Sequence, residues 1–86
     1  MLNGRAIKLP KPTYPATAQR MRIAGSVNVE VTIDENGKVI TARAVSGHAL
    51  LREAAVAAAK QAVFTPTVLS GKSVQVTGVI VYNFSQ

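Results

Sequence analysis

The sequence predicts an α+β domain, in which a three-stranded antiparallel sheet carries two helices on one face in the order α-β-β-α-β. Two segments alternate apolar and polar residues, as half-buried strands do, and two others place apolar residues at helical spacing. A turn signal between the first strand and its return predicts a hairpin. A chain of 86 residues supports one hydrophobic core, so these elements should share it.

The chain begins with a proline-containing segment and a short helix. Pro10, Pro12 and Pro15 predict a semi-extended lead-in, because residues before proline avoid helical geometry. Residues 16–23 then predict two helical turns, with Pro15 suited to the first turn and Gly25 to the end. The residues expected to face inward are Ala18, Met21 and Ile23.

The first hairpin is predicted from alternating valines and a turn sequence. Residues 27–33 alternate as a half-buried strand, and Asp34-Glu35-Asn36-Gly37 precedes a return strand over residues 38–46. A two-residue turn would pair Ile33 with Ile40 and bury Ala42 and Ala44. A three-residue loop would instead turn Val39, Thr41, Arg43 and Val45 inward. Burial favours the first register, and a bulge would reconcile both.

Residues 49–63 predict the main helix, and residues 73–84 predict the last strand. The helix places Leu51, Ala55, Ala58 and Ala62 on one face, and Phe64-Thr65-Pro66 should end it. A turn follows around Ser70-Gly71-Lys72. Gly78 interrupts the inner face of the last strand, which predicts a bulge or the close approach of another backbone. The inner face of that strand comprises Val74, Val76, Ile80, Tyr82 and Phe84.

The composition excludes several classes of function. The chain has no cysteine, so neither a disulfide framework nor a thiolate site exists. No catalytic group, metal cluster or cofactor motif is expected, and the protein is predicted not to be an enzyme. The single histidine, His48, precedes a helix and is expected to be a cap or surface residue. The net charge of +6 is concentrated in a basic N-terminal arm. The simplest explanation of these charges is that they are solvated and aid solubility.

The order of landmarks along the chain is more specific than any single motif. The landmarks are Pro12-Thr13-Tyr14-Pro15, Ala18, Arg22-Ile23-Ala24-Gly25, the alternating valines, residues 34–39, Ser46-Gly47, Leu51, Ala54-Ala55 and Phe64-Thr65-Pro66. In this order, residues 11–84 resemble the C-terminal domain of TonB-family energy transducers.

The resemblance implies a periplasmic domain, anchored to the inner membrane in the full-length protein. Residues 1–12 would be the end of a proline-containing linker, and residues 13–86 the folded domain. Family members capture the TonB box, an extended segment of a TonB-dependent outer-membrane receptor, as an added strand. An inner-membrane ExbB/ExbD-type complex would act through the N-terminal part to couple proton-motive energy to transport.

The binding residues implied by this resemblance lie in two segments. Lys11 stands where the best-known members have glutamine, and Val63 where many have tryptophan. The last strand has no charged residue after Lys72, so its edge is open to pairing. The residues of the two segments are Val74, Gln75, Val76, Thr77, Gly78, Val79, Ile80, Val81 and Tyr82, with Lys11, Pro12, Thr13 and Tyr14.

Two other functions remain open at this stage. The basic arm is compatible with a nucleic-acid-binding domain, although Tyr82 and Phe84 are the only strand aromatics and face inward. The resemblance to the TonB family implies no nucleic-acid partner. The third hypothesis is a structural domain that forms a homodimer through the last strand.

Overall fold

A computed structural model describes residues 2–86 and confirms the predicted α+β class. The central sheet is antiparallel with strand order β3-β2-β7, and two short pairs, β1-β4 and β5-β6, lie outside it and were not predicted. The elements are a 3₁₀ turn (Asn3–Arg5), β1 (Ala6–Lys8), α1 (Ala16–Arg20), β2 (Gly25–Ile33), β3 (Val39–Ser46), α2 (Ala49–Ala59), β4 (Val63–Phe64), β5 (Thr67–Leu69), β6 (Lys72–Val74) and β7 (Val76–Phe84).

The core lies between α2 and one face of the central sheet. Alanines on α2 let the helix approach the sheet closely, and every second residue of β2 points into this space. The predicted core positions of β2, α2 and the last strand are confirmed where they lie in these elements. The buried residues are Ala18, Val27, Val29, Val31, Ile33, Leu51, Ala55, Ala58, Ala59, Ala62, Phe64, Ile80, Tyr82 and Phe84.

The hairpin between β2 and β3 combines the two predicted registers. Ile33 lies opposite Val39, so the predicted Ile33–Ile40 pair is wrong. Val31 lies opposite Ala42, as expected, because a bulge inserts Ile40 as an extra residue. The Asp34 carboxylate stabilises the turn by accepting hydrogen bonds from the backbone N–H groups of Asn36 and Lys38, each at 2.9 Å.

Helix α1 is shorter than predicted and ends at Arg20. Arg22 adopts a left-handed conformation at φ 56°, and the Ile23 N–H donates to the Ala18 carbonyl at 2.9 Å. This closure is typical of helix C-termini and turns the chain away. Ala18 is buried as predicted, but Met21 is 61% exposed, so its inward placement is wrong.

Helix α2 begins at the predicted residue and ends four residues before the predicted end, at Ala59. His48 caps it, since its Nδ1 accepts a hydrogen bond from the Leu50 N–H at 3.1 Å. Val63–Phe64 forms β4 instead of a last helical turn, because Phe64 pairs with Ala6 and donates its N–H to the Gly37 carbonyl. A Cβ at Gly37 would lie 1.9 Å from the Phe64 carbonyl oxygen, so this contact requires glycine.

The predicted last strand is divided into two strands. Val74 belongs to β6 and lies opposite Thr67 in a hairpin, and Gln75 connects it to β7. Ser70 and Gly71 form the hairpin turn at φ 51° and 79°, the left-handed pair that tight hairpins favour. The strand of the central sheet therefore begins at Val76, which corrects the predicted start at Ser73.

Candidate functional site

The outer edge of β7 is the longest regular edge of the central sheet. β7 pairs with β2 without a register shift from Gly25–Phe84 to Ile33–Val76. In an antiparallel ladder, a residue directs both its backbone groups to one side, and neighbouring residues alternate. The Val79 carbonyl and both backbone groups of Val81 are bonded on the side away from β2. The outward-facing residues are therefore Thr77, Val79, Val81 and Asn83.

The middle of this edge is covered by residues from the start of the chain. The Leu2 N–H donates to the Val79 carbonyl at 2.7 Å. The Asn3 side chain accepts from the Val81 N–H at 2.9 Å and donates to the Val81 carbonyl at 2.6 Å. The edge predicted to be open is thus occupied at Val79 and Val81 in this conformation.

A groove lies beside the C-terminal part of the same edge. Its volume is about 370 Å³, and it runs between the segment before α1 and the end of β7. Among the lining residues that the structure describes, Lys11 alone carries a formal charge at neutral pH. The lining residues are Leu9, Pro10, Lys11, Pro12, Tyr14, Val81, Tyr82, Asn83, Phe84 and Ser85.

Tyr14 connects the two walls of the groove, the segment before α1 and the end of β7. Its hydroxyl donates to the Ile23 carbonyl, and its ring meets Phe84 edge to face with centroids 5.4 Å apart. Aromatic pairs of this geometry stabilise beyond their buried area. Tyr14 is half-buried and packs against the core, so it both fills the core and lines the groove.

Tyr82 contributes a buried phenol to the groove wall. Its hydroxyl is buried, and no protein group of residues 2–86 hydrogen-bonds to it. Burial disfavours the charged phenolate and raises the pKa of Tyr82 to about 12.

The structure brings the two predicted segments together only in part. Lys11, Pro12 and Tyr14 share the groove with Val81 and Tyr82. Thr13 lines a different cavity, of about 200 Å³, against α2.

The nine predicted residues of the last strand do not form one continuous edge. Val76, Gly78, Ile80 and Tyr82 direct their backbone groups toward β2, whereas Thr77, Val79 and Val81 direct theirs outward. Val74 lies in β6 and Gln75 in the connection, so neither belongs to the β7 edge.

Sequence reasoning missed several residues at this edge. Leu2 and Asn3 were assigned to the linker, and nothing in a Leu-Asn pair signals an edge contact. Gly78 did carry a signal, but both predicted explanations are wrong. β7 has no bulge at Gly78, and the group that approaches it is the Leu2 side chain and not another backbone. A Cβ at Gly78 would lie 2.7 Å from Leu2 Cγ. The missed groove residues are Leu9, Pro10, Asn83, Phe84 and Ser85.

Other site types find little support in residues 2–86. This part of the chain has no group of three or more His, Asp or Glu side chains placed to hold a metal ion. None of its helices is long and apolar enough to cross a membrane.

Comparison with known proteins identifies the family. The family model of the Gram-negative bacterial TonB protein C-terminal matches residues 10–85. The protein TonB of Yersinia enterocolitica is 46% identical over 39 residues, which cover 45% of this chain and 15% of that protein. The solution NMR structure of the Pseudomonas aeruginosa TonB C-terminal domain has the same fold. It matches with a TM-score of 0.75 and 24% identity, covering 95% of this chain and 85% of that one. The chain therefore belongs to the TonB C-terminal domain family.

Proposed function

We propose that this domain captures an extended segment of an outer-membrane receptor as an added strand on the outer edge of β7. The observation that supports this most is the uninterrupted pairing of β7 with β2 over its whole length. A regular edge presents alternating N–H and C=O groups at the spacing that an extended peptide requires. Irregular edges do not offer this match.

The position of the groove supports the same proposal. An added strand that follows β7 toward its C-terminal end reaches Asn83 and then the groove with Lys11, Pro12 and Tyr14. Main-chain pairing would supply affinity with little demand on sequence, and the groove would select among side chains. Thr13, which lines another cavity, would contribute through its place in this segment.

Membership in the family supports the wider role. In the full-length protein, the domain would lie in the periplasm and be anchored to the inner membrane through residues upstream of residue 13. An ExbB/ExbD-type complex would act on that upstream part, so that proton-motive energy drives transport through the receptor. The domain itself would act by binding and not by catalysis.

Peptides with a blocked backbone test strand addition directly. A receptor-derived peptide is titrated into the isotope-labelled chain, beside two versions that are N-methylated on alternate amides. An added strand uses every second N–H group, so one methylated peptide should lose binding and the other keep it. The amide signals of Thr77, Val79, Val81 and Asn83 should shift.

Two results would contradict the proposal. Equal binding of both methylated peptides would mean that the peptide's backbone does not pair with β7. Signal changes confined to residues 5–22 would place the peptide on the basic N-terminal segment instead.

A further inference from the structure

Leu2 and Asn3 cover part of the β7 edge. We propose that Leu2 and Asn3 occupy the partner's position, and that the partner segment displaces them and places an apolar side chain over Gly78. This inference rests on the proposed function, because the same edge is the binding site. It defines which part of the partner meets which part of β7.

Asn3 reproduces the hydrogen bonds of an added strand. The Asn side-chain amide has a carbonyl acceptor beside an NH₂ donor. It can therefore offer the same donor and acceptor pair as a peptide group. Asn3 uses both on Val81, at 2.9 Å and 2.6 Å. Leu2 adds one main-chain bond to Val79. The edge is therefore already recognised by amide groups in the way that strand addition requires.

Leu2 shows where a partner side chain would lie. Gly78 lies opposite Val31 on the core-facing side of β7, and its missing side chain leaves a depression. The Leu2 side chain fills this depression and packs against the core. An incoming segment that removed Leu2 without replacing it would expose this apolar surface, at a cost proportional to the area. A partner with an apolar residue at this position avoids that cost.

Leu2 and Asn3 do not follow β7 as an extended strand. Leu2 has helical backbone angles, φ −93° and ψ −8°, and the following 3₁₀ turn leads the chain away from β7. Within residues 2–86, the cover makes three hydrogen bonds to β7, at Val79 and Val81. An extended peptide could pair with every outward residue from Thr77 to Asn83. A peptide can bind only the chains in which the cover is open. The apparent affinity should therefore equal the intrinsic affinity multiplied by the open fraction.

Asn3→Ala tests the competition, with Asn36→Ala as the matched control. Asn36 is exposed in the turn between β2 and β3 and is not among the residues that pair with β7. Asn3→Ala removes both bonds to Val81, so the receptor-derived peptide should bind roughly fivefold more tightly, whereas Asn36→Ala should leave affinity unchanged. Without peptide, hydrogen exchange at the Val81 amide should accelerate in Asn3→Ala. The Ile80 and Tyr82 amides, which face β2, should not change.

A peptide scan tests the contact over Gly78. Each apolar peptide residue is changed to serine and measured against the wild-type chain and Gly78→Ala. One peptide position should lose roughly tenfold in affinity on the wild-type chain, and this loss should shrink on Gly78→Ala, which fills the depression. If no peptide position responds differently to the two chains, the proposed side-chain contact is wrong.

The possible failures are distinguishable. If Asn3→Ala and the wild-type chain bind the peptide equally while the outward amides of β7 shift in both, the competition is wrong and strand addition stands. An unchanged exchange rate at Val81 would show that Asn3 does not protect this edge. If neither chain binds the peptide, the proposed function and this inference fail together.

Discussion

The two edges of the central sheet are built in opposite ways. β3 pairs with β2 through two register shifts, and the extra residues, Ile40 and Val45, are both exposed. β7 pairs with the other side of β2 without a shift. Bulges make an edge a poor template for another strand. β3 is thus protected by its own backbone, whereas β7 is regular and is covered by Leu2 and Asn3.

This difference determines which edge of the central sheet can be uncovered for pairing with another strand. A bulge cannot be removed without repacking the hairpin, so the protection of β3 is permanent. In residues 2–86, the cover on β7 consists of three hydrogen bonds and one side chain. Under the proposal, equivalent groups from a partner would replace them. Under the proposed function, such an edge would accept a partner strand when the cover is displaced and resist pairing between copies of the chain when it is in place.

Proline substitutions on the two edges should give the largest difference. The N–H groups of Val79 and Ala42 both point away from β2, by the alternation of the ladders. Proline at either position therefore keeps the pairing with β2 but removes an outward donor and adds bulk. Val79→Pro should weaken binding of the receptor-derived peptide roughly tenfold or more, and Ala42→Pro should leave it unchanged.

Calorimetric titration measures both affinities, and urea unfolding checks that the two variants retain similar stability. Loss of binding in Ala42→Pro with retention in Val79→Pro would assign the partner to β3 and reverse the comparison. Equal loss in both, with intact folding, would mean that neither edge alone is the binding surface.

The buried phenol on β7 gives a second, smaller test. Burial raises the pKa of Tyr82 to about 12 from 10.0, so above pH 10 the unfolded chain releases a proton that the folded chain retains. The stabilisation associated with the neutral phenol is therefore present below pH 10 and is lost as the pH rises toward 12. Relative to Tyr82→Phe, the wild-type chain should lose about 1 kcal/mol of unfolding free energy by pH 11.

Tyr14→Phe is the matched control at neutral pH. The Tyr14 hydroxyl donates to the Ile23 carbonyl, so its removal should cost about 1 kcal/mol. The Tyr82 hydroxyl has no protein partner in residues 2–86, so Tyr82→Phe should cost nothing or stabilise slightly. Urea unfolding from pH 7 to 11 measures both effects. A difference between the wild-type chain and Tyr82→Phe that does not vary with pH would contradict the burial of this phenol.

Much of the fold followed from local patterns, and the site only in part. The alternation of β2 and the alanine-rich face of α2 each reflect burial in one core, so periodicity predicted them. The alternation of apolar and polar residues continues through Val74, Gln75 and Val76. The change of pairing partner at Gln75 therefore leaves no trace in the sequence pattern. The contact of Asn3 with Val81 joins residues 78 positions apart, and no local signal reports it.

The smallest predicted effect concerns the charge of Arg43 on β3. It distinguishes protection of this edge by its bulges from protection by its charge. Arg43 forms an ion pair with Glu30 at 3.0 Å, and the two side chains are 71% and 42% exposed. Solvent screens such a pair, so Arg43→Val should change the unfolding free energy by no more than about 0.5 kcal/mol. If the bulges protect β3, Arg43→Val should remain as monomeric as the wild-type chain in sedimentation equilibrium, while Asn3→Ala, which uncovers β7, should associate more. Association of Arg43→Val would instead show that β3 depends on its charge, and that the two edges differ less than their backbones indicate.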